Sequence, residues 1–251
     1  MNGDKIMFEI KGHTKQLGII GYPVEHTFSP NMHNFISETV HNNYVYGAWC
    51  VKPEDLKDAI DGMRALGISG INVTAPHKVE VMKYIDVVTD GAKKLGSVNT
   101  VVNRDGKLYG YNTDADGFCM ALTKAGIEIE NSRILIIGAG GVVRPTLIRL
   151  IDNKPKSITV VNRTKSKVKM LAEDILKSTG FEVNTEIDKL EFDIVINTTS
   201  AGMEPQENVM PIENIEEIND LSFINENTAA VDMIYNPDKT LFLQEAEKRC
   251  A

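Results

Sequence analysis

Short β-branched runs alternate with helix-spaced apolar positions along most of the chain. "QLGIIG" (16–21) reads as a strand. "SPNMHNFISETV" (29–40) reads as a helix, with Ser29 as N-cap and Pro30 at the first helical position. "NYVYGAWCV" (43–51) is a second strand. In "KPEDLKDAIDGMRALG" (52–67), Leu56, Ala59, Ile60, Met63 and Leu66 recur at helical spacing, and Gly67 stops the helix. "ISGINV" is a third strand, followed by helical stretches around 79–95. In "SVNTVVNRDGKLYGYNTD" (97–114), Arg104-Asp105-Gly106 is a turn signal between two β-rich runs, which predicts a hairpin. A hairpin among βα units implies one antiparallel strand in a mostly parallel sheet.

"TDADGFCMALTKAG" (113–126) is a helix ending at Gly126, and after it the pattern starts afresh. "NSRILIIGAGGVV" (131–143) runs from a buried parallel strand through a glycine turn into a helix. A strand at 157–162, a helix at 164–178 and apolar strands at 192–199 and 229–235 follow, and "KTLFLQEAEKRCA" is a last helix. No internal repeat or low-complexity run is present. The pattern predicts an α/β protein of two lobes, with the boundary inside the helix at 114–126.

Composition narrows the function classes. The 251 residues are 42% hydrophobic and 25% charged, as in an ordinary globular protein. A formal net charge of −8 argues against nucleic-acid or anionic-membrane partners. The three cysteines, Cys50, Cys119 and Cys250, are far apart and odd in number, which fits a reducing cytoplasm and no disulfide framework. The five histidines form no ligand pattern, so no metal is expected. The N-terminal twenty residues hold no long apolar core, and no run is long enough to span a bilayer.

The glycine turn carries the clearest chemistry. Gly138 and Gly140 follow a strand and open a helix, the context in which G-x-G-x-x-[G/A] binds a dinucleotide pyrophosphate on backbone N–H groups. The third small position is Val143, which predicts slightly wider strand–helix packing, and Pro145 is expected to remove a donor beyond the first turn. The next strand ends in Asn162, Arg163 and Thr164, with Lys167 one turn on. A guanidinium and an ammonium there suit the 2′-phosphate of NADP, where an acidic residue would suit NAD.

The first half carries a different set. Thr27 and Ser29 enter a helix and make a carboxylate cradle, although Ser29 alone reads as a helix cap. "NVTAPHK" supplies Asn72, Thr74 and Lys78; "SVNT" supplies Asn99; "GYNTDADG" supplies Asn112 and Asp114. Hydroxyls, amides, one lysine and one aspartate near strand ends suit a small polyhydroxy carboxylic acid. A Lys–Asp pair can relay a proton during carbonyl reduction.

"GYPVEHTFSPNMHN", "NVTAPHK", "LGSVNTVV", "GYNTDADG", "GAGGVVR", "VNRT", "NTTSAGM" and "VDMIYNP", in this order over nearly the whole chain, resemble the shikimate dehydrogenase family. The resemblance implies an N-terminal mixed-sheet substrate domain (1–116, with 238–251 packing back on it) and a Rossmann-like NADP-binding domain (117–237). It implies NADP-dependent, reversible reduction of 3-dehydroshikimate to shikimate on the chorismate route to aromatic amino acids. By it, Lys78 resembles the catalytic lysine and Asp114 its carboxylate partner. Thr27 and Ser29 match carboxylate-binding positions, with Thr27 where serine is commoner. Asn72, Thr74, Asn99 and Tyr235 match substrate-binding positions. Gly138, Ala139, Gly140, Gly141, Asn162, Arg163, Thr164, Lys167, Thr199 and Met233 match cofactor-binding positions.

Two rivals stand beside this reading. One is a quinate/shikimate enzyme, since the extra methyl of Thr27 lies where quinate differs. The other is an impaired relative that binds NADP without useful turnover. The family's usual C-terminal segment, with its substrate-binding glutamine, has no counterpart before Ala251, and Gln244 lies upstream of that position. A protein without that segment is expected to bind NADP yet oxidise shikimate poorly. The partner expected is a small-molecule substrate, with the chain a monomer or homodimer in the cytoplasm.

Overall fold

The computed structural model describes residues 10–218, 220–249 and 251. It divides into two compact units, one ending at Thr113 and one beginning at Asp114. The division falls just ahead of the helix in which the sequence pattern puts it.

In the first unit, β1 (Lys15–Gly21), α1 (Ser29–Thr39) and β2 (Tyr44–Cys50) are followed by a 3₁₀ turn (Pro53–Asp55) that leads into α2 (Leu56–Ala65) and β3 (Gly70–Val73). The stretch expected to be helical around 79–95 holds a 3₁₀ turn (Glu80–Lys83), a two-residue strand β4 (Val87–Val88) and only one short helix, α3 (Asp90–Leu95). The predicted hairpin is β5 (Thr100–Arg104) and β6 (Lys107–Tyr111). The six strands run in the order β2-β1-β3-β5-β6-β4. β5 alone is antiparallel to its neighbours, as the hairpin implied. Ile20, Ile71, Val73, Val101 and Leu108 bury one face of this sheet against Leu56, Ile60 and Met63 of α2. Ile19, Val24 and Tyr46 form a smaller cluster.

The second unit holds α4 (Asp114–Lys124), β7 (Arg133–Ile137), α5 (Val143–Asp152), β8 (Ser157–Val161), α6 (Lys165–Thr179), β9 (Ile194–Asn197), β10 (Ala229–Asp232) and α7 (Leu241–Glu247). Its sheet, β10-β9-β7-β8, is wholly parallel. β9 has every residue buried and β7 all but its first, Arg133, as strands covered on both faces must.

Two expectations need correction. The N-cap of α1 is Phe28, and Ser29 is the first helical residue; the Thr27 hydroxyl accepts the Ser29 N–H (3.3 Å) from outside the helix. α5 begins at Val143, so Pro145 is its third residue, within the first turn, where its N–H would have no intrahelical partner in any case. The last helix packs within the second unit. Phe242 and Ala246, one turn apart on α7, enter the same apolar cluster as Leu135, Ile137, Val195 and Phe223. The second unit supplies the apolar face that this short helix needs, and Thr240 caps it by accepting the Leu243 N–H.

Among the described residues, no helix is long and apolar enough to cross a membrane, and no cluster of His, Cys, Asp and Glu has metal-holding geometry.

Candidate active site

Topology gathers the polar residues of the first unit. β1 and β3 are parallel, so Gly21 and Thr74 lie at the same end of the sheet, where Thr74 N–H donates to Ile20 O (3.0 Å). The fit is close: a Cβ on Gly21 would overlap the Thr74 methyl. β5 runs the other way, so its beginning lies at that same edge, with Thr100 opposite both Asn72 and Tyr111. One antiparallel strand therefore brings Asn99 beside Asn72 and Thr113, although 41 residues separate the outer two.

Side-chain hydrogen bonds tie this edge together. Asn72 Nδ2 donates to Thr100 Oγ1 (3.1 Å), and Thr100 Oγ1 donates to Asn99 Oδ1 (3.0 Å). Asn99 Nδ2 donates to Thr113 Oγ1 (3.0 Å), and Thr113 N–H donates back to Asn99 Oδ1 (3.0 Å). Buried Asn112 donates to the hydroxyl (2.8 Å) and carbonyl of Ser97. At the far side, Thr27 Oγ1 donates to Ser29 Oγ (3.1 Å), so the two predicted cradle hydroxyls do meet.

Lys78 is half-buried in the turn that follows β3. The turn is fastened on both flanks. His77, 1% exposed, donates its backbone N–H to Thr74 O (2.9 Å) and its Nε2–H to Val51 O (2.7 Å); Lys78 O accepts from Val98 N–H (2.8 Å). This anchoring answers why His77 stands between a proline and a lysine: its ring is a strut that holds the turn to the loop after β2. Asp114 opens α4 at the start of the second unit, directly after Thr113.

In the second unit, the chain leaves β7 for β8 on one side and returns to β9 on the other. The carboxyl ends of β7 and β9 therefore mark the switch point at which parallel sheets bind ligands. Gly138 sits there with φ of 119°, and a Cβ on it would overlap Thr198 Oγ1, so no side chain fits. A cavity of about 330 Å³ at this point is lined by Gly138, Ala139, Gly140, Asn162, Arg163, Lys167 and Thr199. Seven predicted cofactor positions thus share one cavity; Gly141, Thr164 and Met233 are not among its walls.

The opposite wall is one that sequence reasoning missed. Gln206, Met210, Glu213, Asn214 and Ile215 come from an irregular segment between β9 and β10. Ile212, Ile215 and Ile218, three residues apart, pin that segment to the core. Lys165 at the start of α6 joins it through Glu216 and Glu217, both at 2.9 Å. These carboxylates raise the Lys165 ammonium pKa, and Lys165 lowers that of Glu217.

A buried network shapes the loop after β9. Asn197, fully buried, donates to both oxygens of Asp232 (3.1 and 3.0 Å) and to Ala201 O (3.2 Å), and accepts from the backbone and hydroxyl of Thr199. Asp232 also accepts from Ile234 N–H and from the Thr240 hydroxyl (2.7 Å). Thr199, Met233 and the α7 cap therefore share one anchor, and Met233 N–H donates to Asn197 O (3.1 Å). Tyr235 beyond them is 79% exposed.

Comparison with known proteins agrees with this geometry in both units. Residues 19–101 match the family described as shikimate dehydrogenase substrate binding domain, and residues 120–236 match shikimate / quinate 5-dehydrogenase. An NADP(+) shikimate dehydrogenase of a Geobacillus species is 45% identical over 240 residues, covering 94% of this chain and 84% of that one. A crystal structure of a shikimate dehydrogenase in complex with NADP+ is 41% identical, with a TM-score of 0.88 over 97% of this chain and 84% of the other. A Listeria monocytogenes shikimate 5-dehydrogenase, crystallised with shikimate and NAD, is 32% identical, with a TM-score of 0.87 over 99% and 88% of the two chains. With a mixed-sheet unit, a parallel dinucleotide-type unit and matches of this extent, the chain belongs to the shikimate dehydrogenase family.

Proposed function

We propose that the protein catalyses the reversible, NADP-dependent reduction of 3-dehydroshikimate to shikimate, a step towards chorismate and the aromatic amino acids. The observation that carries the cofactor choice is the cavity in which the glycine turn faces Asn162, Arg163 and Lys167. The residues fit NADP: the turn has no side chain at Gly138, and two cations line the same cavity, the chemistry that a 2′-phosphate requires. Thr164 and Gly141 extend this set along the backbone; Thr199 is a wall of the same cavity, and Met233 is fastened to the same Asn197 anchor.

In the first unit, Thr27 and Ser29 take the substrate carboxylate. Asn72, Thr74 and Asn99 take ring hydroxyls, and Tyr235 faces the substrate. NADPH supplies the hydride. Lys78 polarises the carbonyl oxygen and gives it a proton as it becomes the alcohol, with Asp114 as the carboxylate that sets the ammonium. The rigid turn around Lys78 favours this role, because a proton donor is effective only when held in place. The cytoplasm is the site of action, where Cys50 and Cys119 persist as free thiols.

Purified protein assayed with shikimate or quinate, and NADP or NAD, tests the proposal. The expected result is NADP reduction with shikimate as the best substrate. Preference for NAD, or no shikimate turnover, would overturn it.

A further inference from the structure

Tyr46 has no place in the site as read from the sequence, yet it bonds directly to one of that site's residues and is tied to the helix that carries another. Its ring is 4% exposed and packs with Ile19 and Val24. Its hydroxyl donates to Asn72 Oδ1 (2.7 Å). The register explains the reach. Leu17 of β1 pairs with Tyr46 of β2, and Ile19 of β1 pairs with Asn72 of β3. Leu17 and Ile19 share a face, so the Tyr46 side chain crosses β1 on that face to meet Asn72.

The residue is held unusually firmly. Asn34 of α1 clamps its backbone on both sides, donating to Tyr46 O (2.9 Å) and accepting from Tyr46 N–H (2.8 Å). The His33 ring stacks on its ring at 4.2 Å and 9°. These contacts join Tyr46 to the helix that begins at Ser29. Hydrogen bonds then run from Asn34 of α1 through Tyr46, Asn72 and Thr100 to Asn99.

We infer that Tyr46 is a positioning residue for the substrate. Its hydroxyl fixes the Asn72 amide, whose Oδ1 it occupies, and thereby sets the carboxylate-binding hydroxyls at a constant distance and orientation from the hydroxyl-binding amides. The inference rests on the shikimate reading above. It adds a residue that need not touch substrate, and gives Asn72 a bridging role: its oxygen faces Tyr46, and its nitrogen faces Thr100.

Tyr46→Phe removes the hydroxyl and keeps the ring, its packing and the His33 stack. The expected result is a shikimate KM about three- to tenfold higher, the range for one lost hydrogen bond, with the NADP KM unchanged. Asn72→Ala removes the same bond from the other side and should raise the shikimate KM alone. The double variant should then be little worse than Asn72→Ala, since the two side chains act through one contact. A residue that served only to support the fold would leave both KM values at wild type, or move them together. Either result, or full additivity in the double variant, overturns the inference. Wild-type protein in the same assay separates the two levels: an active wild type with unchanged Tyr46→Phe kinetics refutes the role of Tyr46 alone, whereas a wild type that does not oxidise shikimate refutes both readings.

Discussion

The unit ending at Thr113 builds its polar edge from side chains bonded to side chains: Tyr46 to Asn72, Asn72 to Thr100, Thr100 to Asn99, Asn99 to Thr113. The unit beginning at Asp114 builds its cavity from backbone and from exposed cations: a glycine turn that admits no Cβ, flanked by Arg163 and Lys167. The difference follows from the ligands each is proposed to take. A ring bearing several hydroxyls is recognised by many weak directional contacts, which hold only if the donors and acceptors are already aligned. A pyrophosphate and a 2′-phosphate are recognised by charge and N–H groups, which a helix start and two long side chains provide with little need of alignment among themselves. Substitutions in the first unit should therefore act through geometry, and those in the second through charge.

The largest expected effect tests the chemical step. Lys78→Ala should lower kcat by roughly two to four orders of magnitude, the range for a positioned acid–base group. NADP affinity, measured by direct binding, should stay near wild type. A variant with near-normal turnover would show that this lysine is a solvated charge on a well-anchored turn.

Next in size is the charge of the second cavity. Arg163→Asp should weaken NADP binding by one to two orders of magnitude, since a charge-assisted hydrogen bond is worth about 1.5–3 kcal/mol. Shikimate KM at saturating cofactor should not change. An equal loss of NAD and NADP affinity would mean that Arg163 touches the shared part of the cofactor, and the contrast between the units would lose its electrostatic half.

What the sequence made legible follows the range of the interactions. The glycine turn, the Arg104-Asp105-Gly106 hairpin and, outside residues 79–95, the strand–helix alternation are local and appear where expected. The α1 cap was misplaced by one residue, because Thr27, Ser29 and Phe28 compete within one turn and the structure gives the hydroxyl role to Thr27. Pro145 looked disruptive only because the start of α5 was set too early. The Phe242 and Ala246 stripe of α7 shows that an apolar partner is needed, but not that it is the cluster around Leu135 and Val195. Tyr46 was missed because alternation in "YVYGAWC" marks it as a buried strand residue, and nothing local tells that its hydroxyl crosses a strand. A buried tyrosine does need a partner for its hydroxyl, and that requirement was the one signal available. The segment around 206–217 shows isoleucines three apart, close to helical spacing, yet forms successive turns; its place on the cavity depends on long-range packing.

A smaller effect separates the units by stability. Asp193, just before β9, accepts from the guanidinium of Arg133 (2.9 and 3.1 Å) and from its backbone N–H (2.7 Å). The Arg133 hydrogen bonds hold its carboxyl below the ordinary aspartate range. A carboxyl depressed in the folded state stabilises the fold above its unfolded pKa, and that contribution is lost as pH falls towards the folded value. Asp193→Asn should therefore lower the melting temperature at neutral pH and flatten the decline below the ordinary aspartate range. The one tryptophan, Trp49, lies on β2, so its fluorescence follows the first unit while circular dichroism follows both. The shift should be larger by circular dichroism; equal shifts would mean that the two units unfold as one.

The smallest expected effect concerns a cation that resembles its neighbours. Lys165 stands two residues from Arg163 and two from Lys167, in the same basic stretch. It is not a wall of the cavity, and its ammonium is held between Glu216 and Glu217. Those carboxylates cancel its charge at the distance of a phosphate, so it should add little to NADP binding. As the amine pKa is raised, the pairing is complete at neutral pH and is lost only as pH climbs through the alkaline range of lysine. Exposed pairs of this kind contribute little to stability. Lys165→Ala should therefore leave NADP affinity within about twofold of wild type, and Lys167→Ala should reduce it more. If Lys165→Ala proves the more damaging of the two, then the bridge to Glu216 and Glu217 sets the shape of the opposite wall. The second cavity would in that case depend on side-chain alignment as the first does, and the contrast between the units would fail.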